Sequence, residues 1–406
     1  MKIAIDARFI NPENRGLSTY TRNLVFGLET IDKKNEYYIL LRQKDCTSLK
    51  FKSSRFHKVA AEVQWYGIKE QIIIPQILNK IKPDLTHFPH FNVPVVYNRP
   101  FITTIHDLIL FAYPTKKATK LGPISYAFKD RAYRLTIAQA LKKARAIVAV
   151  SNSTARDIHR FFPNINESKI TTIYEGAGGE ASFSSPQLRG GPRRGGGRGS
   201  LISKYEKVSA KTRQEWLKNN FKIKFPFIFY LGGGYPHKNL ERLAFAFNGA
   251  QKNYREKTRQ EIYLVIGGGK DYFFNRLKNL VGKSKIKNII FPGFIPEGRA
   301  LEYFYQEALF CVFPSLYEGF GLPPLEALKR KKLVLCNNGT CFPEILGESV
   351  VYFNGKSVTD ISDAIINTLE NLENLKKTYL PRAKDTLARY SWRKMARETL
   401  ELYKKC

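Results

Sequence analysis

Two carboxylates flank a glycine-rich turn in the segment FPSLYEGFGLPPLEALKR, residues 313–330. Pro323 and Pro324 exclude a continuous helix from Glu318 onward. They suit the start of a helix, because a proline in the first helical turn gives up only an amide that would have no partner there. The sequence therefore predicts Glu318 on a loop and Glu326 in the first turn of the helix that follows.

The turn between these carboxylates has the composition of a phosphate cradle. Gly319 and Gly321 would let the backbone approach a ligand closely, and the free amides at the helix start can hold phosphate oxygens. Carboxylates repel phosphate, so their expected task is to accept hydrogen bonds from sugar hydroxyls. The alternative is that Glu326 only stabilises the helix N-terminus. The candidate site residues of this segment are Glu318, Gly319, Phe320, Gly321, Leu322 and Glu326.

A second glycine cluster follows an apolar run in FIFYLGGGYPHKNLERL, residues 227–243. Gly232 and Gly233 would allow close backbone approach, and Lys238 could balance a diphosphate as a mobile point charge. The alternative is an ordinary surface lysine. Neither glycine cluster of this half spells the G-x-G-x-x-G that opens a helix in dinucleotide oxidoreductases, so that class is not favoured.

The first half of the chain carries two weaker signals. Gly16 is predicted at a turn from a strand to a helix, and the apolar run ITTIHDLIL, residues 102–110, contains His106 and Asp107 at its expected end. Ligands of open parallel sheets bind beyond the carboxyl ends of the strands, which makes His106 a candidate catalytic residue. A structural role for this single histidine is the alternative.

The elements that must position these residues follow one pattern. Short apolar runs alternate with longer amphipathic stretches, first in KIAIDA, GLSTYTRNLVFGLETI and EYYILLR, and again from FPFIFYLGGG through EIYLVIGGG to LFCVFPS. This alternation predicts an α/β fold with two doubly wound parallel sheets. The expected boundaries are a first domain at 1–176, a Gly/Arg-rich linker at 177–200, a second domain at 201–380 and a C-terminal helix at 381–406.

The segment EGFGLPPLE resembles the E-x7-E motif of the family 4 retaining glycosyltransferases, and the likeness covers nearly the whole chain apart from the linker. The resemblance implies a mannosyltransferase-like group 1 glycosyltransferase. It implies the GT-B fold, in which two Rossmann-like domains face a cleft and a C-terminal helix returns to the first domain. The acceptor would bind the first domain and the nucleotide sugar the second.

The resemblance also implies roles for the residues of the second domain. Glu326 would bind the ribose of the nucleotide, and Glu318 would lie beside the transferred sugar. Lys238 would help to clamp the donor pyrophosphate. Many relatives carry an arginine where Gly233 stands, so we expect Lys238 to carry this clamp with less help.

In the first domain, the resemblance implies that His106 faces the transferred sugar and that Gly16 approaches the donor phosphates. The implied reaction moves a hexose from a nucleotide-diphosphate sugar to a polysaccharide or lipid-linked glycan. The anomeric configuration is retained, and the leaving phosphate takes the acceptor proton. Mannose is predicted as the transferred sugar from the YLGG…KN pattern of the loop that contains Lys238.

The sequence predicts a reaction without a metal or another cofactor. No Asp-x-Asp occurs, so the carboxylate pair that holds a divalent ion in the other large glycosyltransferase fold is missing. The charge on the leaving diphosphate would be met by Lys238, by helix amides and by Arg15.

Composition leaves two alternatives open. With 67 Lys and Arg against 35 Asp and Glu, the net charge of +32 favours anionic partners, either nucleic acid or lipid headgroups. A nucleic-acid-binding protein that uses the RGG-like tract within 177–200 is one alternative, although no specific nucleic acid is expected. A GT-B sugar-nucleotide epimerase is the other.

Cysteine usage and hydropathy indicate where the protein works. The five cysteines are scattered and odd in number, which suits a reducing cytoplasm, and no apolar run approaches the ~18 residues of a membrane helix. We expect reversible binding at the cytoplasmic face of a membrane. The residues expected to make this contact are Tyr113, Lys116, Lys117, Lys120, Tyr126, Phe128, Lys129, Arg131, Tyr133 and Arg134.

Overall fold

The chain folds into two compact units, each built on one parallel sheet. The computed structural model describes residues 1–11, 15–113, 123–177, 208–269 and 271–406. Of these, the first unit contains 1–11, 15–111, 123–177 and 390–406, and the second contains 112–113, 208–269 and 271–389. Apart from Ala177, the predicted linker at 177–200 lies outside the described residues.

The first unit has a seven-stranded sheet. Its strands are β1 (Lys2–Asp6), β2 (Glu36–Leu41), β3 (Phe56–Ala60), β4 (Leu85–Phe88), β5 (Phe101–Ile105), β6 (Ala146–Ala149) and β7 (Ile170–Thr172). Its helices are α1 (Arg15–Ile31), α2 (Gln43–Ser48), α3 (Ile68–Ile81), α4 (Ile109–Ala112), α5 (Pro123–Lys143) and α6 (Asn152–Phe161), α4 ending at the first residue assigned to the second unit. The strand order is β3-β2-β1-β4-β5-β6-β7, with every neighbouring pair parallel.

His106 follows β5, one strand away from the point where the strand order of the sheet reverses. The connections reverse direction between β1 and β4, and at such a switch point the loops after the strands diverge and leave a crevice. β5, next to β4, is buried along its whole length and ends at Ile105. His106 therefore emerges at the carboxyl edge of the sheet, as the sequence predicted.

The second unit has a six-stranded sheet of the same kind. Its strands are β8 (Phe227–Leu231), β9 (Tyr263–Gly267), β10 (Ile289–Gly293), β11 (Cys311–Phe313), β12 (Val334–Asn337) and β13 (Val351–Phe353). Its helices are α7 (Ala210–Phe221), α8 (Leu240–Thr258), α9 (Tyr272–Lys283), α10 (Arg299–Glu307), α11 (Leu322–Lys329), α12 (Phe342–Leu346), α13 (Val358–Glu370) and α14 (Leu372–Ala388). The order is β10-β9-β8-β11-β12-β13, again parallel, so the switch point lies between β8 and β11. The predicted fold class is confirmed.

The last helix, α15 (Trp392–Lys405), belongs to the first unit. It packs along α1, and a Cβ added to Gly176 would lie only 2.4 Å from Cγ of Trp392, so this contact requires a glycine. The helix begins later than the expected position 381, because the Ser391 side chain accepts a hydrogen bond from the amide of Lys394 and caps a new helix there. The return of the C-terminal helix to the first domain is confirmed.

Within the described ranges, none of the helices combines the length and the apolar composition that crossing a bilayer requires.

Candidate active site

Two buried asparagine amides join the loops at the carboxyl edge of the second sheet. Asn239, between Lys238 and α8, donates through Nδ2 to the carbonyl oxygens of Pro314 (3.1 Å) and Gly355 (2.6 Å). Asn337, at the end of β12, donates to the carbonyl of Ser315 (3.0 Å) and accepts from the amide of Gly355 (2.8 Å). The loops after β8, β11 and β13 are thereby held together.

Lys238 and Glu318 meet at this junction. Lys238 ends a short 3₁₀ turn after β8, Glu318 lies on the loop after β11, and Nζ is 2.6 Å from Oε1. Both side chains are mostly buried, with 19% and 17% exposed. Burial alone would raise the pKa of Glu318, but the charge and the hydrogen bond of Lys238 hold that pKa below its usual value. Glu318 is therefore ionised at neutral pH.

The main chain of Glu318 is fixed by a residue that sequence reasoning missed. The hydroxyl of Thr340 accepts a hydrogen bond from the amide of Glu318 at 2.9 Å and donates one to its carbonyl oxygen at 2.7 Å. Thr340 itself has a φ of 57°, a left-handed conformation that is uncommon for a β-branched residue. Such strain is typical of residues that hold a functional loop in place.

Glu326 lies deeper in its helix than predicted. The helix α11 begins at Leu322, with Gly321 at φ 89° before it, so Glu326 is its fifth residue and belongs to the second turn. The predicted position in the first turn is wrong, because Pro323 and Pro324 occupy the second and third helical positions rather than the first.

The electrostatics of Glu326 argue against the alternative of a helix-stabilising carboxylate. Burial raises the pKa of Glu326 to about 7, and the nearby carboxylates of Glu297 and Glu302 add to this increase, while Arg330 opposes it. A carboxylate stabilised by a helix N-terminus would have a lowered pKa. An acid that the fold makes costly to ionise is typical of a functional site.

Arg330 opposes the increase in the pKa of Glu326 by its charge, but it does not pair with the Glu326 carboxylate. Its guanidinium makes a bidentate pair with Glu302, with Nη2 at 2.5 Å from Oε1, and lies 4.6 Å from the ring centre of Tyr305. Its Nη1 donates to the main-chain oxygen of Glu326, not to the carboxylate. Sequence reasoning missed this trio, since Glu302 and Tyr305 stand on α10, far from the motif in sequence.

Packing leaves no room for a Cβ on two glycines of the site, Gly321 and Gly232. A Cβ on Gly321 would lie 2.7 Å from Phe342, and one on Gly232 would lie 2.4 Å from the hydroxyl of Tyr230. That hydroxyl donates to the carbonyl of Gly233 at 2.9 Å and holds the loop after β8. The remaining predicted site residues of the α11 segment are the loop residue Gly319, the buried Phe320 and the partly exposed Leu322.

The first unit places His106 in a buried pair. Its Nδ1 is 3.0 Å from Oε1 of Glu175, and its Nε2 is 2.9 Å from the carbonyl oxygen of Pro89. Sequence reasoning missed Glu175, which follows β7 and is distant from His106 in the chain. Gly16 is the second residue of α1, not part of a turn before it, and a Cβ there would meet no atom within 4 Å. Its predicted role at the donor phosphates stays a prediction.

Two known families match this chain on either side of its centre. Residues 15–177 match the family described as Glycosyltransferase Family 4, and residues 212–384 match Glycosyl transferases group 1. The chain belongs to the group 1, family 4 glycosyltransferases, with the GT-B fold that the sequence predicted. These matches favour glycosyl transfer over the nucleic-acid-binding and epimerase alternatives.

Individual relatives are similar over most of the chain. O-antigen chain mannosyltransferase B of Escherichia coli is 26% identical over 330 residues, which cover 80% of this chain and 76% of that protein. O-antigen chain mannosyltransferase RfbU of Salmonella typhimurium is 22% identical over 360 residues, covering 88% and 83%. The crystal structure of Anabaena HepE in complex with UDP-glucose has a TM-score of 0.67 at 14% identity, covering 100% of each chain. This structural likeness shows the fold alone.

Glu326→Gln is expected to stabilise the free protein above pH 7 and to weaken nucleotide binding. Because the folded state raises the pKa of this carboxyl to about 7, stability is lost as the pH rises from the unfolded pKa through 7, and an amide avoids that loss. Ribose hydroxyls prefer the ionised carboxylate as an acceptor. Between pH 6 and pH 8, the affinity of the wild-type protein for UDP or GDP should therefore rise roughly tenfold more than that of the variant, a comparison that cancels the ionisation of the nucleotide's own phosphate.

Calorimetric titration and thermal unfolding at both pH values measure these two effects. Glu348→Gln is the matched control, since Glu348 is 86% exposed beside Arg382 and should change neither quantity. Wild-type nucleotide affinity in Glu326→Gln at pH 8 would remove Glu326 from the site.

Proposed function

We propose that this chain transfers mannose from a nucleotide-diphosphate mannose to a polysaccharide or lipid-linked glycan, with retention of configuration. The observation that carries the proposal is the pair of Lys238 and Glu318 at 2.6 Å. It combines a cation suited to a diphosphate with an ionised acceptor suited to sugar hydroxyls. Mannose is supported by the two relatives that are named O-antigen mannosyltransferases.

The donor is proposed to bind the second unit. Lys238 would balance the diphosphate together with the main-chain amide of Leu322, the first residue of α11, and Glu326 would accept hydrogen bonds from the ribose. Pro323 and Pro324, which follow Leu322, have no amide hydrogen to donate. A diphosphate that attracts the ammonium of Lys238 leaves the carboxylate of Glu318 free to accept from a hydroxyl of the sugar. The ion pair of the free protein is then the resting arrangement of both groups.

The reaction balances without a protein nucleophile. The bond from the anomeric carbon to the diphosphate oxygen breaks, and the bond from that carbon to the acceptor oxygen forms on the same face. The acceptor proton passes to a phosphate oxygen of the leaving nucleotide. The contribution of the protein is electrostatic: Lys238 and the amide of Leu322 would stabilise the charge that develops on the diphosphate, and we propose that no divalent metal is needed.

Lys238→Ala is expected to lower the turnover of GDP-mannose by about 100-fold or more, and Lys238→Arg by less, because arginine keeps the positive charge. Product anomers are read by proton NMR, with EDTA present throughout. Equal losses in the two variants would assign Lys238 a geometric role. A reaction abolished by EDTA and restored by Mn²⁺ would contradict the metal-free proposal, and turnover of other sugar nucleotides alone would contradict mannose.

A membrane contact is proposed as a second property, at a place other than the one the sequence suggested. Arg134 is paired with Asp130 at 2.7 Å and lies over Phe111, and Tyr133 packs on Phe91 and Phe111. These two residues are therefore used inside the unit. The expected contacts Lys116, Lys117 and Lys120, and the side chains of Tyr126, Phe128 and Lys129, lie outside the described residues.

An apolar surface on α3 and the adjoining loop supports this property better. The amide of Val95 donates to the side chain of Gln71 at 2.7 Å, which holds the loop against α3. Lys69 is exposed on the same helix and suits an anionic leaflet, as does the net charge of +32. The exposed apolar side chains are Tyr66 (64%), Ile68 (83%), Ile72 (54%) and Val96 (63%).

The double variant Ile68→Glu, Ile72→Glu is expected to bind phosphatidylglycerol vesicles at least about tenfold more weakly, because each inserted apolar side chain contributes about 1 kcal/mol or more. Sedimentation measures this, with GDP-mannose hydrolysis as the check on folding. Phe245→Glu is the matched control, at an apolar side chain of the second unit that is 41% exposed. Undiminished sedimentation of the double variant would place the contact elsewhere.

A further inference from the structure

Both ring nitrogens of His106 are bound to groups that accept hydrogen bonds. Nδ1 lies 3.0 Å from the carboxylate of Glu175, and Nε2 lies 2.9 Å from the carbonyl oxygen of Pro89. A carbonyl oxygen has no proton to donate, and neither has an ionised carboxylate. When the Glu175 carboxylate is ionised, both contacts are hydrogen bonds only if each ring nitrogen carries a proton, and the ring is then positively charged.

We propose that Glu175 is a positioning residue that holds His106 as a fixed imidazolium, and that His106 does not act as the base toward the acceptor hydroxyl. An imidazolium has no free lone pair, so it cannot take a proton. The charge state stands on the geometry of the first unit alone. The statement about the acceptor rests on the proposed function.

Burial strengthens the pairing of the two side chains. Glu175 is 5% exposed and His106 is 16% exposed, so water screens the pair only weakly. Burial alone would lower the pKa of His106, but the hydrogen bond and the charge of Glu175, with the Pro89 carbonyl, raise it above the usual value. Asp107, next in the chain, acts in the same direction.

The two histidines and the tyrosine that lie near His106 are neutral. The hydroxyls of Tyr403 (2.6 Å) and Thr104 (2.9 Å) bind the two nitrogens of His87, an arrangement that a neutral ring satisfies. Burial lowers the pKa of His87 to about 3 and that of His90, whose ring centre is 6.4 Å from His106, to about 3 as well. From α1, the ring of Tyr20 stands perpendicular to His106 at 4.7 Å, and burial raises its pKa. The positive charge therefore stays on His106.

The pairing also makes stability depend on pH. A histidine whose pKa is raised by folding contributes stability that is fully present below its unfolded pKa. That contribution disappears as the pH rises through the raised, folded pKa. Because Glu175 causes the increase, a variant without its charge should lose this dependence.

Ring-nitrogen NMR of the full-length protein, labelled with ¹⁵N-histidine, tests the proposal between pH 5.5 and 9. His106→Gln identifies the His106 signals. In the wild-type protein both nitrogens of His106 should carry protons at pH 7, while His87 and His90 are neutral. In Glu175→Gln the midpoint of the His106 titration should fall by about one unit or more, since the opposite charge is gone.

Glu167→Gln is the matched control, because Glu167 faces the exposed His159 at 3.4 Å in the same unit. It should leave His106 unchanged. A neutral His106 with a single tautomer in the wild-type protein at pH 7 would overturn the proposal, and so would a titration that Glu175→Gln does not move. If Glu175→Gln does not fold, the wild-type spectra still decide.

The rate of sugar transfer is a second, independent measurement, and it applies only if the protein is an active glycosyltransferase. Turnover by Glu175→Gln should fall at pH 8 and recover toward pH 6, where the imidazolium re-forms, while a merely structural loss would not recover. If His106 is charged but the protein transfers no sugar, the proposed function is wrong and the proposed charge state of His106 is correct. If His106 is neutral in an active enzyme, the proposed charge state is wrong and the proposed function is unaffected.

Discussion

The candidate site depends on the side-chain amides of Asn239 and Asn337. Each amide is buried at the carboxyl edge of the second sheet and bonds main-chain groups from other loops. A buried amide left without partners costs about 1–3 kcal/mol, so loop arrangements that break these bonds are disfavoured. Lys238 directly precedes Asn239, and Glu318 follows the loop segment that both amides bind. The loops of the site are therefore ordered by folding, before a ligand binds.

Two carboxylates on one motif acquire opposite properties from their surroundings. Lys238 lowers the pKa of Glu318, whereas burial, with Glu297 and Glu302, raises that of Glu326 against the opposing charge of Arg330. The first carboxylate is held charged, and the second changes charge near neutral pH. This separation suits different tasks toward a sugar and a ribose. In the first unit, Glu175 has the effect on His106 that Lys238 has on Glu318, since each stabilises the charged form of its partner.

The fold was predictable because buried parallel strands appear as apolar runs, as β5 and β8 do, and because glycines and prolines mark the loops after them. Lys238, Glu318 and His106 were selected as candidate site residues by motif and strand position. The partners were not. Glu175, Thr340, Glu302 and Asn337 come close to the motif residues only through the crossover connections, and nothing in their local sequence distinguishes them from ordinary polar residues. Glu326 lies one residue beyond the first turn in which it was predicted, since the helix begins at Leu322, before both prolines.

We propose that the second unit holds the nucleotide around Lys238, Glu318 and Glu326. A crystal structure of the protein with GDP or UDP bound would test this proposal. We predict a diphosphate oxygen beside Nζ of Lys238 and ribose hydroxyls at about 2.6–3.2 Å from the carboxylate of Glu326. A nucleotide bound elsewhere, with the pair of Lys238 and Glu318 still closed at 2.6 Å, would contradict it.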